Sequence, residues 1–269
     1  AYLGALDAWK PRRPAYRPMR LEDPDFAAAP ALRDAQFAYT VPNFSNPTGR
    51  LVDLGQRRDL VEAARVTGTW LVEDDPYGTL YYDGSPLPRM LDLSATGSTP
   101  YDGRVIYLGT LSKELAPGLR VGWVIAAPEM IRALVTAKQG SDMSTPGLSQ
   151  RITLDAFAAG LTERILPATL ALYRARRDAL CAAMSEHLGD LFRWDVPAGG
   201  MFVWATALDE RLDTDLLLRR GLAHGVCITP SSVFDPEGKN RRAIRINFTL
   251  NDAAKLAEAR ADLGGSVAT

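Results

Sequence analysis

Cysteine and histidine are scarce, at two residues each in a chain of 269. Cys181 and Cys227 stand far apart in sequence, which excludes a disulfide framework and any C-x-x-C metal or redox motif and fits a reducing cytoplasm. His187 and His224 fall near the expected ends of helices, where they read as polar end residues, so no zinc site is expected. The longest apolar run, Val121 to Ala127, stops at Pro128 and is far shorter than the roughly 20 residues that span a bilayer. Formal charge is −1 and no long basic run occurs, so neither nucleic acid nor a membrane is an expected partner. The pairs Arg57-Arg58, Arg176-Arg177 and Arg241-Arg242 are expected at solvated positions of helices or loops. No internal repeat or low-complexity segment is present. What remains is an ordinary composition, 46% hydrophobic and 23% charged, enough for one large or two modest cores.

Short apolar runs alternate with turn signals over the first half: Phe37 to Val41, Trp70 to Glu73, Val105 to Leu108 and Val121 to Ala126. Between the first two, Leu54 to Val66 reads as an amphipathic helix, capped by Asp53 and stopped by Gly68. Strand, helix, strand implies a crossover and a parallel sheet. Leu148 to Leu188 carries few breakers apart from Gly160 and Pro167 and reads as helices leading out of that sheet. Beyond it the pattern changes to Phe192–Trp204, a helix over 213–224, strands over 226–229 and 243–249, and a helix over 252–263. That is α+β rather than repeated βαβ. The expected organisation is a large domain over residues 1–160 and a smaller α+β domain over residues 161–269.

The chemistry-bearing residues cluster at the ends of the early runs. Thr110-Leu111-Ser112-Lys113, with Pro117-Gly118 and Arg120 after it, sets one lysine among hydroxyls, a tight turn and an arginine. Such a segment suits a phosphorylated aldehyde: the lysine forms a Schiff base, Thr110 and Ser112 donate to phosphate oxygens, and Arg120 pairs with them bidentately. Trp70 to Tyr77 is an apolar strand ending in Glu73, Asp74, Asp75 and Tyr77, and Asn43 to Gly49 closes another with amides and turn residues. Open α/β sheets bind ligands at such strand ends. Asn46–Pro47 is expected to be cis, in a tight turn that aims the Asn46 amide. Of Asp74 and Asp75, alternation allows only one to face the site.

With Asn46-Pro47-Thr48-Gly49, Asp74-x-x-Tyr77 and the S-x-S-K…R pattern at Thr110, Ser112, Lys113 and Arg120, the chain resembles the fold-type I aminotransferases dependent on pyridoxal 5'-phosphate (PLP). The resemblance implies an α/β fold with a mostly parallel sheet in the large domain. It implies Lys113 as the Schiff-base lysine and proton carrier, and selects Asp74 to keep the cofactor's ring nitrogen protonated. It also implies Tyr77 and Asn46 as donors to the phenolate oxygen, Tyr2 as a ring stacked on the cofactor, and Arg245, in Ile244-Arg245-Ile246-Asn247-Phe248, as the grip on the substrate's carboxylate. Pro197-Ala198-Gly199-Gly200-Met201-Phe202-Val203-Trp204 resembles a family stretch and is expected to be structural, its glycines easing a tight approach into a strand. Residues 137–146 and 42–47 look most like the 2-aminoadipate and kynurenine aminotransferases.

The implied reaction moves an amino group from an L-amino acid to a 2-oxo acid such as 2-oxoglutarate, in a cytoplasmic homodimer. Two alternatives stand beside it: an aminotransferase-like sensor domain of a winged-helix transcription regulator, and a PLP-dependent β-lyase or decarboxylase. Ala1-Tyr2 opens inside a recognisable family stretch, so about a hundred further residues are expected upstream, and activity is expected to need them and a second subunit.

Overall fold

A computed structural model describes residues 2–12, 14–252 and 254–256. In chain order the elements are α1 (Leu3–Trp9), α2 (Ala28–Leu32), β1 (Phe37–Thr40), α3 (Leu54–Thr67), β2 (Trp70–Asp74), α4 (Met90–Ser94), β3 (Val105–Thr110) and β4 (Gly122–Ile125). There follow α5 (Pro128–Gln139), α6 (Gly147–Ala158), α7 (Leu161–Leu188), β5 (Phe192–Arg193), β6 (Phe202–Ala207), α8 (Thr214–Ala223), β7 (Thr229–Pro230) and β8 (Ala243–Asn247). Most of the helix expected over 252–263 lies outside the described residues.

The first sheet has the order β1-β2-β3-β4, with β1, β2 and β3 parallel and β4 antiparallel to β3. The register pairs Thr40 with Glu73 and Asp74 with Leu108, so three strands end at one edge of the sheet. This places the 41–49 turn, the 75–77 turn and the loop carrying Lys113 side by side. The chemistry of α3 accounts for its bounds. Asp53 accepts the backbone N–H of Gln56 at 2.9 Å, and Gly68 leaves the helix at φ 74°, a left-handed conformation that glycine adopts without a Cβ clash. Leu60, Ala63 and Ala64 of α3 pack with Leu32, Ala38, Leu71, Met90 and Val105 to form the core under the sheet.

The second sheet, β5-β6-β8-β7, is antiparallel throughout. Leu180, Met184 and Leu188 of α7 and Leu217 of α8 cover it, against Phe192, Val203, Ala205 and Ile244. The strand expected over 226–229 begins only at Thr229, since β8 pairs there through Arg245 and Ile244 alone.

A third cluster, Phe44, Tyr77, Leu80, Tyr81 and Phe202, joins the two sheets. Here the glycines of the 197–204 stretch admit close backbone approach. A Cβ on Gly199 would sit 2.2 Å from the Leu80 carbonyl oxygen, and one on Gly200, at φ +76°, 2.4 Å from the Phe44 Cβ. Tyr81 and Gly199 form a β-bridge, and Gly200 N–H donates to Leu80 O at 2.9 Å.

Two arginines expected in solvent are buried. Arg57 has no exposed surface: Nε donates to Val52 O at 2.9 Å, Nη1 to Pro88 O at 2.9 Å, and Nη2 to Asn43 Oδ1 at 2.6 Å. Arg177 donates to Pro197 O at 2.8 Å and pairs with Asp83 and Asp178. Helical periodicity misplaced them because a guanidinium with most of its donors occupied can face a loop rather than water. Arg57→Met should therefore cost about 3–5 kcal/mol of stability, read as a lowered denaturant midpoint, because it orphans buried acceptors; an unchanged midpoint would contradict this account.

Glu73 is also fully buried, and accepts the backbone N–H groups of Met90 and Leu91 at the start of α4, both at 2.8 Å. Burial pushes its carboxyl up to about 7, and the two amide donors oppose that rise. A carboxyl raised on folding contributes stability that is complete below its unfolded value, near 4.5, and is lost as pH rises through 7. Wild type should thus lose stability relative to Glu73→Gln as pH climbs across that window. Parallel stability curves would show that Glu73 does not titrate there.

Candidate functional site

The edge where β1, β2 and β3 end carries the residues singled out by sequence. Alternation along β2 sends Leu71 and Glu73 into the core and leaves Val72 and Asp74 on the other face. Asp74 is largely enclosed and accepts a hydrogen bond from the Tyr39 hydroxyl of β1 through Oδ2. Burial raises its carboxyl above the usual range, while the Tyr39 bond pulls it back. Asp75 turns the other way. Its Oδ1 accepts from Asn43 Nδ2 at 2.7 Å, and its Oδ2 accepts from the Tyr107 hydroxyl at 3.3 Å and lies 3.9 Å from Arg89. The two neighbouring carboxylates thus serve different ends, one facing the site and one bracing the loop beneath it.

Asn46 and Tyr77 lie together, both buried. The peptide bond Asn46–Pro47 is cis. The Asn46 amide is hydrogen-bonded to the Tyr77 oxygen, and its Oδ1 accepts from Arg245 Nη1 at 2.7 Å, across 199 residues of sequence. Burial pushes the Tyr77 hydroxyl above its ordinary range, and the facing Arg245 cation opposes this. Arg245 projects from β8, whose register sets it opposite Thr229 of β7 and Trp204 of β6. Its guanidinium lies 4.4 Å from the Phe202 ring centroid and 5.0 Å from that of Phe234, and Nη2 donates to Thr229 Oγ1 at 3.3 Å. Nε is buried without a partner among the described residues. Burial lowers the affinity of this guanidinium for its proton.

Beyond β3, the Thr110 hydroxyl donates to Ser112 Oγ at 3.0 Å and accepts Ser112 N–H at 3.1 Å, which folds the loop back on the strand end. Lys113 is half-buried in the turn that follows. Neither Lys113 nor Arg120 pairs with a carboxylate among the described residues. Arg120 is exposed, adopts φ 55° and among the described residues donates only to Pro117 O of its own turn, so no hydrogen bond joins it to Thr110, Ser112 or Lys113. Tyr2, 44% exposed, precedes α1 and faces the hydroxyls of Tyr39 and Tyr77 electrostatically. Sequence reasoning did not single out Tyr39, Thr229 or Phe234. The signal for Tyr39 was available, because a parallel neighbour one strand over puts it on the face of Asp74.

The family profile for aminotransferase class I and II matches residues 27–263. The chain belongs to the class I and II aminotransferases. The aromatic-amino-acid aminotransferase 1 of Thermococcus litoralis is 36% identical over 267 residues, 96% of this chain and 62% of that protein. Among solved structures, the alpha-aminoadipate aminotransferase LysN of Thermus thermophilus, complexed with N-(5'-phosphopyridoxyl)-L-leucine, superposes with a TM-score of 0.90 at 35% identity, over 100% of this chain and 69% of that one. The uncharacterized HTH-type transcriptional regulator YisV of Bacillus subtilis is 30% identical over 80% of this chain and 42% of its own length. The chain thus spans less than two thirds of the first of these curated relatives. The fold is that of fold-type I aminotransferases.

Members of this family depend on pyridoxal 5'-phosphate. The donor set fits that group. A phosphate needs an unneutralised cation and hydroxyl donors, which Arg120, Thr110 and Ser112 offer, and an aldehyde needs an amine, which Lys113 offers. A protonated ring nitrogen needs a buried acceptor, which Asp74 offers through its remaining oxygen. Among the described residues no cluster of histidine, cysteine or carboxylates could hold a metal, and no helix is long and apolar enough to cross a membrane.

Proposed function

We propose that the polypeptide carrying this chain is an aminotransferase that takes an L-amino acid as donor and a 2-oxo acid such as 2-oxoglutarate as acceptor, with Lys113 as its catalytic lysine. Arg245 carries the reading. A half-buried guanidinium between two aromatic rings, with its Nε–H unpartnered among the described residues, is arranged for a planar anion, and the amino and oxo acids share one: the α-carboxylate. Its link through Asn46 to Tyr77 ties carboxylate recognition to the strand edge that carries Asp74 and Lys113. In this arrangement residues 1–160 hold the cofactor and residues 161–269 present Arg245 to the substrate. The greater identity and coverage of the aminotransferase relatives favour an enzyme over a sensor.

Bound PLP supplies an aldehyde that exchanges amines and a ring that accepts electrons. The chain's residues do the rest. Lys113 Nζ would hold the cofactor through its aldehyde, and as a free amine would be the base that carries a proton. Asp74 would keep the ring nitrogen protonated, Asn46 and Tyr77 would donate to the phenolate oxygen, Tyr2 would pack against the ring, and Thr110, Ser112 and Arg120 would bind phosphate. Likeness to the aminoadipate and aromatic enzymes supports a donor among long or aromatic amino acids, and the proposed assembly is a cytoplasmic homodimer.

Two measurements test this. Borohydride reduction followed by peptide mapping should find a pyridoxyl group on Lys113, and Lys113→Ala should lose turnover while keeping the fold; label on another lysine, or on none, overturns the assignment. Arg245→Leu should weaken amino-acid binding by about 2–5 kcal/mol and leave PLP affinity nearly unchanged. Loss of PLP with normal substrate affinity would exchange the roles of Arg120 and Arg245.

A further inference from the structure

Tyr39 lies outside every motif used above, yet it makes the one side-chain hydrogen bond that Asp74 accepts among the described residues. The β1–β2 register pairs Tyr39 with Val72, and Asp74 is two residues further along the same face, so the phenol crosses diagonally to reach Oδ2. Trp9 of α1 packs edge-on against the Tyr39 ring, with centroids 5.3 Å apart. A phenol held in this way satisfies one carboxylate oxygen and leaves the other, Oδ1, as an acceptor without a donor among the described residues.

We propose that Tyr39 is a positioning residue for the reaction: it holds Asp74 as an anion with one oxygen turned to the protonated ring nitrogen of the bound cofactor. The inference rests on the cofactor reading above and adds a residue to it. An enclosed carboxylate is driven to take up a proton, and a protonated Asp74 could not hold a pyridinium. Donation by Tyr39 opposes that drive, and the tyrosine keeps its own proton because burial and the facing carboxylate push it far above the ordinary tyrosine range. The other groups around Asp74 do not replace this donor. Asp75 raises Asp74 further, Tyr77 is engaged with Asn46, and Tyr2 faces the two tyrosine hydroxyls.

The test uses the full-length holoprotein, with PLP affinity measured against pH in wild type, Tyr39→Phe, Asp74→Asn and the double variant. Phenylalanine keeps the ring against Trp9. Tyr39→Phe should bind PLP about tenfold more weakly on the acid side, the loss of a hydrogen bond to a charged group, and the pH at which PLP is released should rise by about one unit. Adding Tyr39→Phe to Asp74→Asn should cost little more, since the neutral amide no longer needs its charge held. With 15N-labelled PLP, the ring-nitrogen resonance should be in the protonated range in wild type and move towards neutral pyridine in Tyr39→Phe. Wild-type affinity, release pH and resonance in Tyr39→Phe would overturn the role, as would an equal loss in the Asp74→Asn background, which would mark a packing effect. A wild-type protein that binds no PLP would instead overturn the cofactor reading itself.

Discussion

The arrangement of this strand edge depends on one buried guanidinium. Arg57 reaches back from the first turn of α3 to Val52 O, Pro88 O and Asn43 Oδ1, so a single side chain ties together both ends of the 41–52 loop and the segment before α4. Asn43, fixed by Arg57 and by the Tyr81 hydroxyl at 3.0 Å, presents its amide to Asp75. Asp75 in turn receives Tyr107 from β3. The result is a polar floor under three loops, with cation and anion separated by an amide that bonds both. Burying a charge is costly unless its hydrogen bonds are made, and most of the donors here are occupied. The loop that carries Asn46 can therefore be irregular at its tip and still be fixed at its base.

On that floor, three consecutive carboxylates do three different things. Glu73 faces the core and takes the first amides of α4, Asp74 faces the opposite side with Tyr39, and Asp75, past the strand's end, braces the floor. The strand's period of two separates the first pair, and the end of the strand frees the third from that alternation. Burial raises the Glu73 and Asp74 carboxyls, the nearby Asp75 raises both further, and local donors oppose the rise: amides for Glu73 and a phenol for Asp74.

Much of this was legible in the chain. Apolar runs with turn signals located the strands of the first sheet, and Asp53 and Gly68 gave the limits of α3 to within a residue, because caps are local chemistry. The motif residues at the strand ends pointed to their shared edge, since parallel topology dictates where loops converge. What the sequence did not disclose depends on side chains meeting across elements. Arg57 and Arg177 looked solvated because periodicity knows only their own helix, and their partners lie on loops far away in sequence. Tyr39 read as one more strand residue, and its part depends on register with β2. Arg120 marks the opposite case: the motif assigned it a place beside Thr110 and Ser112, whereas among the described residues it bonds only within its own turn.

The second sheet supplies what the first cannot. Arg245 meets Asn46 only because Gly199 and Gly200 let the backbone before β6 press against Phe44 and Leu80, and any side chain at Gly199 would collide with the Leu80 carbonyl. The same approach brings Phe202 under the Arg245 guanidinium and against the Tyr77 ring, so one phenylalanine sets the height of both. Arg245 and the residues at the strand edge are thereby fixed to each other through packing, not through a continuous element of chain. In the proposed site the groups assigned to the cofactor lie on a braced sheet edge and the arginine assigned to the substrate lies on a separate sheet. Chemistry and substrate choice could then be tuned at different residues while the glycine contact keeps them in register.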